Sequence, residues 1–178
     1  MERRWSDVGA ESATVMTSHP QPVGNRRKRA IMPVYQCVTS GIDLTEEQRD
    51  RIATGITTIH HDETNAPEPF IRVAFTPLPL GLMYTAGKVE PSIIISGGIR
   101  YGRSEVVRRT IMEKLHRLAV EVTGSPEDHV LIVVSDTPNG WAMEAGIMMP
   151  EPFPEAEAAW FQALADKLPA RFAATNAG

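Results

Sequence analysis

The sequence contains an internal repeat, in which one constant shift along the chain relates two segments of the same pattern. Thr45 and Ser104 are related by this shift, and each is followed by apolar residues at helical spacing. The other pairs are Ile52 with Ile111, Ile56 with Leu115, Ile59 with Leu118, Pro67 with Pro126, Val73 with Ile132 and Phe75 with Val134. Because the match runs through polar, apolar and turn positions alike, it indicates two copies of one supersecondary unit.

Each copy has the pattern of a β-strand, an α-helix and a second β-strand, over about residues 33–77 and 92–136. In the first copy Thr45 and Gln48 form a plausible capping box at the start of the helix. Two such units in tandem can join into one four-stranded sheet with both helices on one face, because crossover connections have a fixed hand. We therefore predict an α/β (α+β) fold of this kind.

A further helix is predicted near the end of the chain, over about residues 154–172. Trp160, Leu164 and Leu168 lie four residues apart there, which is typical of one helical face. The two repeat helices leave the other face of the sheet bare, although its strands are rich in Val, Ile and Phe. That face needs cover, most simply from another subunit, and a small closed oligomer is the hypothesis that follows.

Residues 1–31 lack apolar periodicity and are predicted to form a flexible leader before a folded domain over residues 32–178. Residues 1–32 carry six basic and three acidic side chains, which leaves 12 basic and 19 acidic ones in the rest of the chain. The acidic domain argues against nucleic-acid binding, for which a basic face would be expected. The basic run at residues 26–29 contains no aromatic residue, so we interpret it as a solvated segment.

Cysteine content and hydropathy indicate where the protein works. Cys37 is the only cysteine, which excludes an internal disulfide and is typical of a reducing compartment. No apolar run approaches the roughly 20 residues that span a bilayer, and no secretory signal is evident. We therefore predict a cytoplasmic protein without a membrane partner.

Arg100 and Arg103 lie at the junction between the second unit's first strand and its helix. The helix start carries partial positive charge, and an arginine can hold a carboxylate through two parallel hydrogen bonds, so this junction favours an anion. The alternative is that both are ordinary surface arginines. In either case we expect the loop that carries them to be exposed.

Three further polar residues invite both a functional and a structural interpretation. His60 and His61 are adjacent near the end of the first helix, where they could hold a substrate or simply neutralise the helix terminus. A shared metal is disfavoured because neighbouring helical side chains point about 100° apart. Glu144 lies in an apolar stretch, where a partly buried carboxylate could act as a general acid or base, although a lone glutamate in a turn is usually solvated.

Taken together, these segments resemble the tautomerase superfamily, specifically the cis-3-chloroacrylic acid dehalogenase family. The resemblance covers the chain from Pro33 to about Phe161. It is carried by Met32-Pro33-Val34-Tyr35, His60, Ile99-Arg100-Tyr101-Gly102-Arg103-Ser104 and Met143-Glu144-Ala145-Gly146. The resemblance implies fused β-α-β units assembled as a homotrimer. We expect no metal and no cofactor.

The resemblance also implies a role for each candidate residue. Pro33 would be the amino-terminal residue whose secondary amine acts as the base. Arg100 and Arg103 would bind the carboxylate of a small substrate, His60 would support that contact, and Glu144 would activate or position water. The implied activity is that of an isomerase, a tautomerase acting on a small enol or 2-keto carboxylate.

Two departures from the family pattern shape this expectation. Val133 stands where the dehalogenases have a tyrosine, so dehalogenation or hydration is expected only as a weak side activity. A proline within a peptide bond also has an amide nitrogen without a basic lone pair. Either translation starts at Met32, or the leader is cut, or the chain has lost this chemistry. In the last case the alternative function is a non-catalytic oligomeric binding protein of the same fold.

Overall fold

The protein is described by a computed structural model over residues 33–138, 140–151 and 154–173. The expected leader, residues 1–31, lies outside this part of the chain, and its flexibility stays a prediction. The strands are β1 Val34–Ser40, β2 Arg72–Leu78, β3 Tyr84–Thr85, β4 Lys88–Val89, β5 Ser92–Arg100, β6 Val130–Thr137, β7 Met143–Glu144 and β8 Ile147–Met148. The α-helices are α1 Glu46–Thr64, α2 Glu105–Thr123, α3 Pro154–Lys167 and α4 Pro169–Ala173.

Four strands form the main sheet in the order β2-β1-β5-β6. β1 runs parallel to β2, and β5 runs parallel to β6, so each repeat unit supplies one parallel pair. The two units meet at the centre of the sheet, where β1 and β5 are antiparallel. The predicted four-stranded sheet of two β-α-β units is confirmed.

Both long helices begin at the residues that the sequence indicates. The Thr45 side chain accepts a hydrogen bond from the Gln48 N–H, and the Gln48 side chain accepts one from the Thr45 N–H, which completes the capping box. Ser104 caps α2 through a bond from the Val107 N–H. Each helix ends at a residue in the left-handed conformation, Asn65 and Gly124, which stops the helix and turns the chain toward the next strand.

The apolar stripes of α1 and α2 pack on the same face of the sheet. The fully buried side chains of this core are Tyr35 and Cys37 of β1, Ile93 and Ile95 of β5, Ile52 and Ile56 of α1, and Ile111, Leu115 and Ala119 of α2. No described helix covers the opposite face, where Val34, Leu131 and Val133 are exposed. We call this second face the bare face, and its existence agrees with the prediction.

The repeat extends further than the sequence pattern showed. A short 3₁₀ helix precedes the second strand in each unit, at Glu68–Phe70 and Glu127–His129, and a hairpin follows it, β3–β4 and β7–β8. The 3₁₀ helices and hairpins of the two units are related by the same shift that relates Thr45 to Ser104. The first strands instead match at a shift one position longer, because the loop before the helix spans residues 41–45 in one unit and 101–104 in the other.

The C-terminal segment forms two helices, α3 and α4, where the sequence predicted one continuous helix. Pro169 begins the second helix, which places the break where a proline is best tolerated. Trp160 and Leu164 of α3 are buried against Phe70, and Ile147 of β8 packs on the same cluster. No described helix is long and apolar enough to cross a membrane.

Leu115→Ala should lower the free energy of unfolding by about 2–5 kcal/mol, because it removes a fully buried side chain from between α2 and the sheet. Val106→Ala is the control on the same helix, since Val106 is 73% exposed, and it should change stability by less than about 0.5 kcal/mol. Denaturant unfolding measures both values. Equal losses for the two variants would contradict the described packing of α2.

Candidate active site

Four strand ends meet at one end of the main sheet. Because β1 and β5 are antiparallel, Val34 at the start of β1 pairs with Gly98 near the end of β5. Pro33 therefore lies beside the end of the strand that carries Arg100. We call this region, at the starts of β1 and β2 and the ends of β5 and β6, the proline end of the sheet. Pro33 is buried there, and its carbonyl accepts a 3.0 Å hydrogen bond from the N–H of Arg72.

His60 reaches the proline end from α1 and is completely buried. Its Nδ1 lies 2.9 Å from the hydroxyl of Tyr35, and the two rings meet edge to face. Burial lowers the pKa of His60 to about 4, and the positive charge of Arg103 adds to this effect. His60 is therefore neutral at neutral pH.

The two adjacent histidines have different surroundings. α1 continues to Thr64, and the buried ring of His60 lies against Tyr35, so helix capping does not account for this residue. His61 lies in the last turn, and its Nδ1 is 2.7 Å from the Ala66 carbonyl oxygen. The capping interpretation therefore fits His61 and not His60.

Arg100, the last residue of β5, is only 2% exposed. Its Nη1 donates to Glu157 Oε1 of α3 at 2.6 Å, and its Nη2 donates to the Pro150 carbonyl oxygen at 2.5 Å. The expectation of an exposed loop is wrong for this residue. The reason is that α3, 57 residues further along the chain, packs over the end of the strand and supplies the partner carboxylate.

Arg103 occupies the loop between β5 and α2 and is half-buried. Because it follows the end of β5, it lies at the proline end of the sheet, and its positive charge contributes to the lowered pKa of His60. Its backbone carbonyl accepts a hydrogen bond from Nη2 of Arg108. The loop is thus attached to the first turns of α2.

Glu144 lies in the hairpin strand β7 and is 8% exposed, so the alternative of a solvated turn carboxylate does not apply. Its Oε1 accepts a 2.6 Å hydrogen bond from Nη2 of Arg72. The backbone N–H of the same arginine donates to Pro33. Arg72 therefore connects Glu144 to the start of β1.

Sequence reasoning gives no role of their own to Arg72 and Tyr35, although Tyr35 belongs to the motif over residues 32–35 that carries the resemblance. Arg72 has no motif around it, and only its place at the start of a strand could have drawn attention to it. Tyr35 and Cys37 lie on the same face of β1, two residues apart, and this spacing predicts an ordinary core position for Tyr35. Both become visible only through contacts between elements that are far apart in the chain.

The fold offers two equivalent positions for a site, and only one contains these groups. Under the repeat, His60 corresponds to Ala119 and Glu144 to Thr85. With the longer shift of the first strands, Pro33 corresponds to Ile93 and Arg100 to Ser40. The equivalent positions at the opposite end of the sheet thus hold no basic, acidic or imidazole side chain.

Two grooves elsewhere in the described chain occupy equivalent places in the two repeat units. One, of about 630 Å³, lies between α2 and β6 and includes His116 and Ile132. The other, of about 440 Å³, lies beside α1 and includes Thr57 and Val73, which are the repeat counterparts of those residues. Because both units have such a groove, the grooves do not mark a special site. Within the described ranges, no group of three or more His, Cys, Asp or Glu side chains could hold a metal.

Solved structures with the same fold include two whose sequences are also related to this one. The crystal structure of native Ps01740 has 40% identity and a TM-score of 0.61, and the match covers 62% of this chain and 99% of that chain. The structure of N1, a member of the cis-3-chloroacrylic acid dehalogenase (cis-CaaD) family, has 28% identity and a TM-score of 0.64, over 76% of this chain and 99% of that one. A fused 4-OT, solved as an asymmetric trimer, shares the fold at 19% identity, with a TM-score of 0.58 over 64% of this chain and 94% of that one.

Sequence comparison with protein families agrees with these structural similarities. No curated protein is similar enough in sequence to count as a match. Residues 32–164, well over half of the chain, match the family described as "Putative oxalocrotonate tautomerase enzyme". The chain therefore belongs to the tautomerase superfamily, in the group related to the cis-3-chloroacrylic acid dehalogenase family.

Proposed function

We propose that this tautomerase-superfamily protein moves a proton within a small enol or 2-keto carboxylate, with the nitrogen of Pro33 as the base. Family membership supports a tautomerase-type function. The proposal depends on one observation: Pro33, neutral His60, Arg103 and Glu144 lie at one end of the sheet, while the repeat-equivalent positions at the other end hold none of these residue types. A positioned base and an anion clamp are sufficient for this reaction.

The proposed reaction needs a free amine at Pro33. A secondary amine at the start of a chain has a lone pair, whereas an amide nitrogen does not. With an enol, the amine takes the hydroxyl proton while the carbonyl forms, and the prolyl ammonium returns a proton to the carbon of the former double bond. The amine is thereby regenerated, and no other reactant is consumed.

The carboxylate of the substrate would be bound by arginine and histidine. Arg103 is the principal candidate because it is close to His60 and lies in the loop before α2. Arg100 would add a second contact, although its guanidinium already binds Glu157 and the Pro150 carbonyl. Binding through Arg100 would therefore have to share or replace the contacts of a buried ion pair.

Glu144 would position or activate a water molecule in a weak hydration or dehalogenation side activity. Its ion pair with Arg72 holds the carboxylate at the proline end. Val133 lies on the bare face of β6 and has no hydroxyl to assist this chemistry. We therefore expect proton transfer in enols to be the main activity.

A second candidate function is binding without catalysis. The ion pair between Arg100 and Glu157 favours this second function, since an arginine that already binds a carboxylate of the protein suits a structural role. If a residue remains bonded to the nitrogen of Pro33, the protein would be an oligomeric carboxylate-binding protein of the same fold. Activity measured with a free Pro33 amine separates the two functions.

A protein that begins at Pro33 should convert phenylenolpyruvate to its keto form much faster than the full chain does, because only its proline nitrogen can accept a proton. The ultraviolet absorbance of the enol measures both rates. The control is a protein that begins at Val34, which has a primary amine displaced by one residue and should be slow. Equal rates for the full chain and the protein beginning at Pro33 would remove Pro33 as the base.

In the protein that begins at Pro33, Arg103→Ala should lower kcat/KM for a carboxylate substrate by about 10- to 100-fold, since a charge-assisted hydrogen bond contributes roughly 1.5–3 kcal/mol. Arg109→Ala is the matched control, because Arg109 is exposed and, among the described residues, its ion pair is the local one with Glu105. Arg108 is unsuitable, since it contacts the Arg103 carbonyl and Asp136. Equal effects of the two variants would place the carboxylate elsewhere.

The bare face supports a homotrimer, the assembly in which the fused 4-OT was solved. Sedimentation of the protein should report three subunits, and Leu131→Asp should dissociate them, because Leu131 is 53% exposed on the bare face and a buried unpaired carboxylate is costly. Val106→Asp, on the outer side of α2, is the control and should leave the assembly intact. A stable monomer at micromolar concentration would refute the trimer.

A further inference from the structure

The buried pair of Tyr35 and His60 contains an unsatisfied hydrogen-bonding group. Nδ1 of His60 is 2.9 Å from the Tyr35 hydroxyl, but Nε2, which is also buried, has no hydrogen-bond partner among the described residues. A buried polar atom without a partner costs about 1–3 kcal/mol. Such a group in a folded protein requires an explanation, and a ligand that completes the hydrogen bond is one.

The number of unsatisfied groups determines which ring nitrogen carries the proton. If Tyr35 donates to Nδ1, the proton of His60 is on Nε2, and one donor lacks a partner. If Nδ1–H donates to the tyrosine oxygen instead, the hydroxyl proton and the Nε2 lone pair are both left without partners. The first arrangement is favoured because it leaves fewer buried groups unsatisfied, and the neutral state of His60 allows it.

The fold itself does not require this pair. In the second repeat unit the corresponding positions hold Ile95 and Ala119, which are buried in the same core. Gly97 on the neighbouring strand makes room for the tyrosine, since a Cβ atom there would collide with Cε1 of Tyr35. The first unit thus has a polar pair, and the second unit has a glycine opposite it, at positions where apolar packing alone would satisfy the fold.

We propose that Tyr35 is a positioning residue that keeps the proton of His60 on Nε2, so that Nε2–H donates a hydrogen bond to an oxygen of the anionic substrate. The inference rests on the proposed function, because it assumes that the substrate binds at the proline end. The nearby charge of Arg103 favours an anion as the acceptor. Tyr35 acts on the substrate only through His60 and does not touch it.

The tautomer can be measured directly in the full chain by ¹⁵N NMR of the imidazole nitrogens, with the His60 signals assigned from a His60→Leu variant. In the unchanged protein, Nδ1 of His60 should have the shift of an unprotonated nitrogen and Nε2 that of a protonated one. Tyr35→Phe keeps the ring but removes the donor, so the proton should redistribute toward Nδ1. A proton on Nδ1 in the unchanged protein, or an unaltered tautomer in Tyr35→Phe, would overturn the proposal.

Binding of malonate, a small unreactive dicarboxylate, tests the consequence for the ligand. Tyr35→Phe should weaken binding by about 3- to 10-fold, in line with the partial loss of one hydrogen bond to a charged group. In the His60→Leu background, Tyr35→Phe should cause no further loss, because Tyr35 acts through His60. Tyr84→Phe is the control, since Tyr84 is exposed in the β3–β4 hairpin and should bind malonate normally.

The two measurements separate this inference from the proposed function. If the tautomer is as expected and malonate does not bind, the anion site at the proline end is refuted together with the donor role of His60. If malonate binds through Arg103 but Tyr35→Phe weakens binding equally with and without His60, the anion site stands and the role of Tyr35 is refuted. Thermal unfolding of each variant confirms that the compared proteins are folded.

Discussion

The antiparallel pairing of β1 with β5 is the constraint on which the rest of the molecule depends. It joins two β-α-β units into one sheet and places the beginning of the first unit beside the end of the second unit's first strand. Pro33 and Arg100, far apart in the sequence, become neighbours through this pairing alone. A register shift of one residue would turn Tyr35 away from His60 and toward the bare face, because successive side chains in a strand alternate between faces.

The C-terminal segment breaks the symmetry of the two units. α3 packs on Phe70 before β2, and it contributes Glu157 to the buried ion pair with Arg100. Nζ of Lys167, at the end of α3, donates to the Ala145 carbonyl in the turn of the hairpin that carries Glu144. Removing one partner of a buried ion pair typically costs about 3–5 kcal/mol, because the other charge is left without compensation. The proline end is therefore held in place by a segment outside the repeat.

Much of the fold could be predicted from the sequence because its determinants are local. The capping residues and the apolar spacing of α1 and α2 lie within single elements, and the repeat showed each of them twice. The pairing of Arg100 with Glu157 and of Arg72 with Glu144 depends on contacts across 57 and 72 residues, which no local pattern encodes. For the same reason the resemblance suggested Arg100 as a ligand for substrate but could not reveal its internal partner. The roles of the candidate residues stay predictions, since they depend on a substrate.

The electrostatics of the proline end connect the state of His60 with the proposed state of Pro33. Burial and the charge of Arg103 both disfavour a positive charge on His60, which is why its pKa falls to about 4. Pro33 is buried at the same end of the sheet, so in the proposed reaction a free amine there would also be subject to desolvation, and the positive charge of a nearby arginine would act in the same direction. Both effects favour the uncharged form of the amine, which is the form that accepts a proton. An anionic substrate would weaken this preference for the uncharged amine when it binds, because its negative charge offsets the positive charge of Arg103. In the proposed reaction, the ammonium formed at Pro33 would therefore be more stable with the substrate bound than without it.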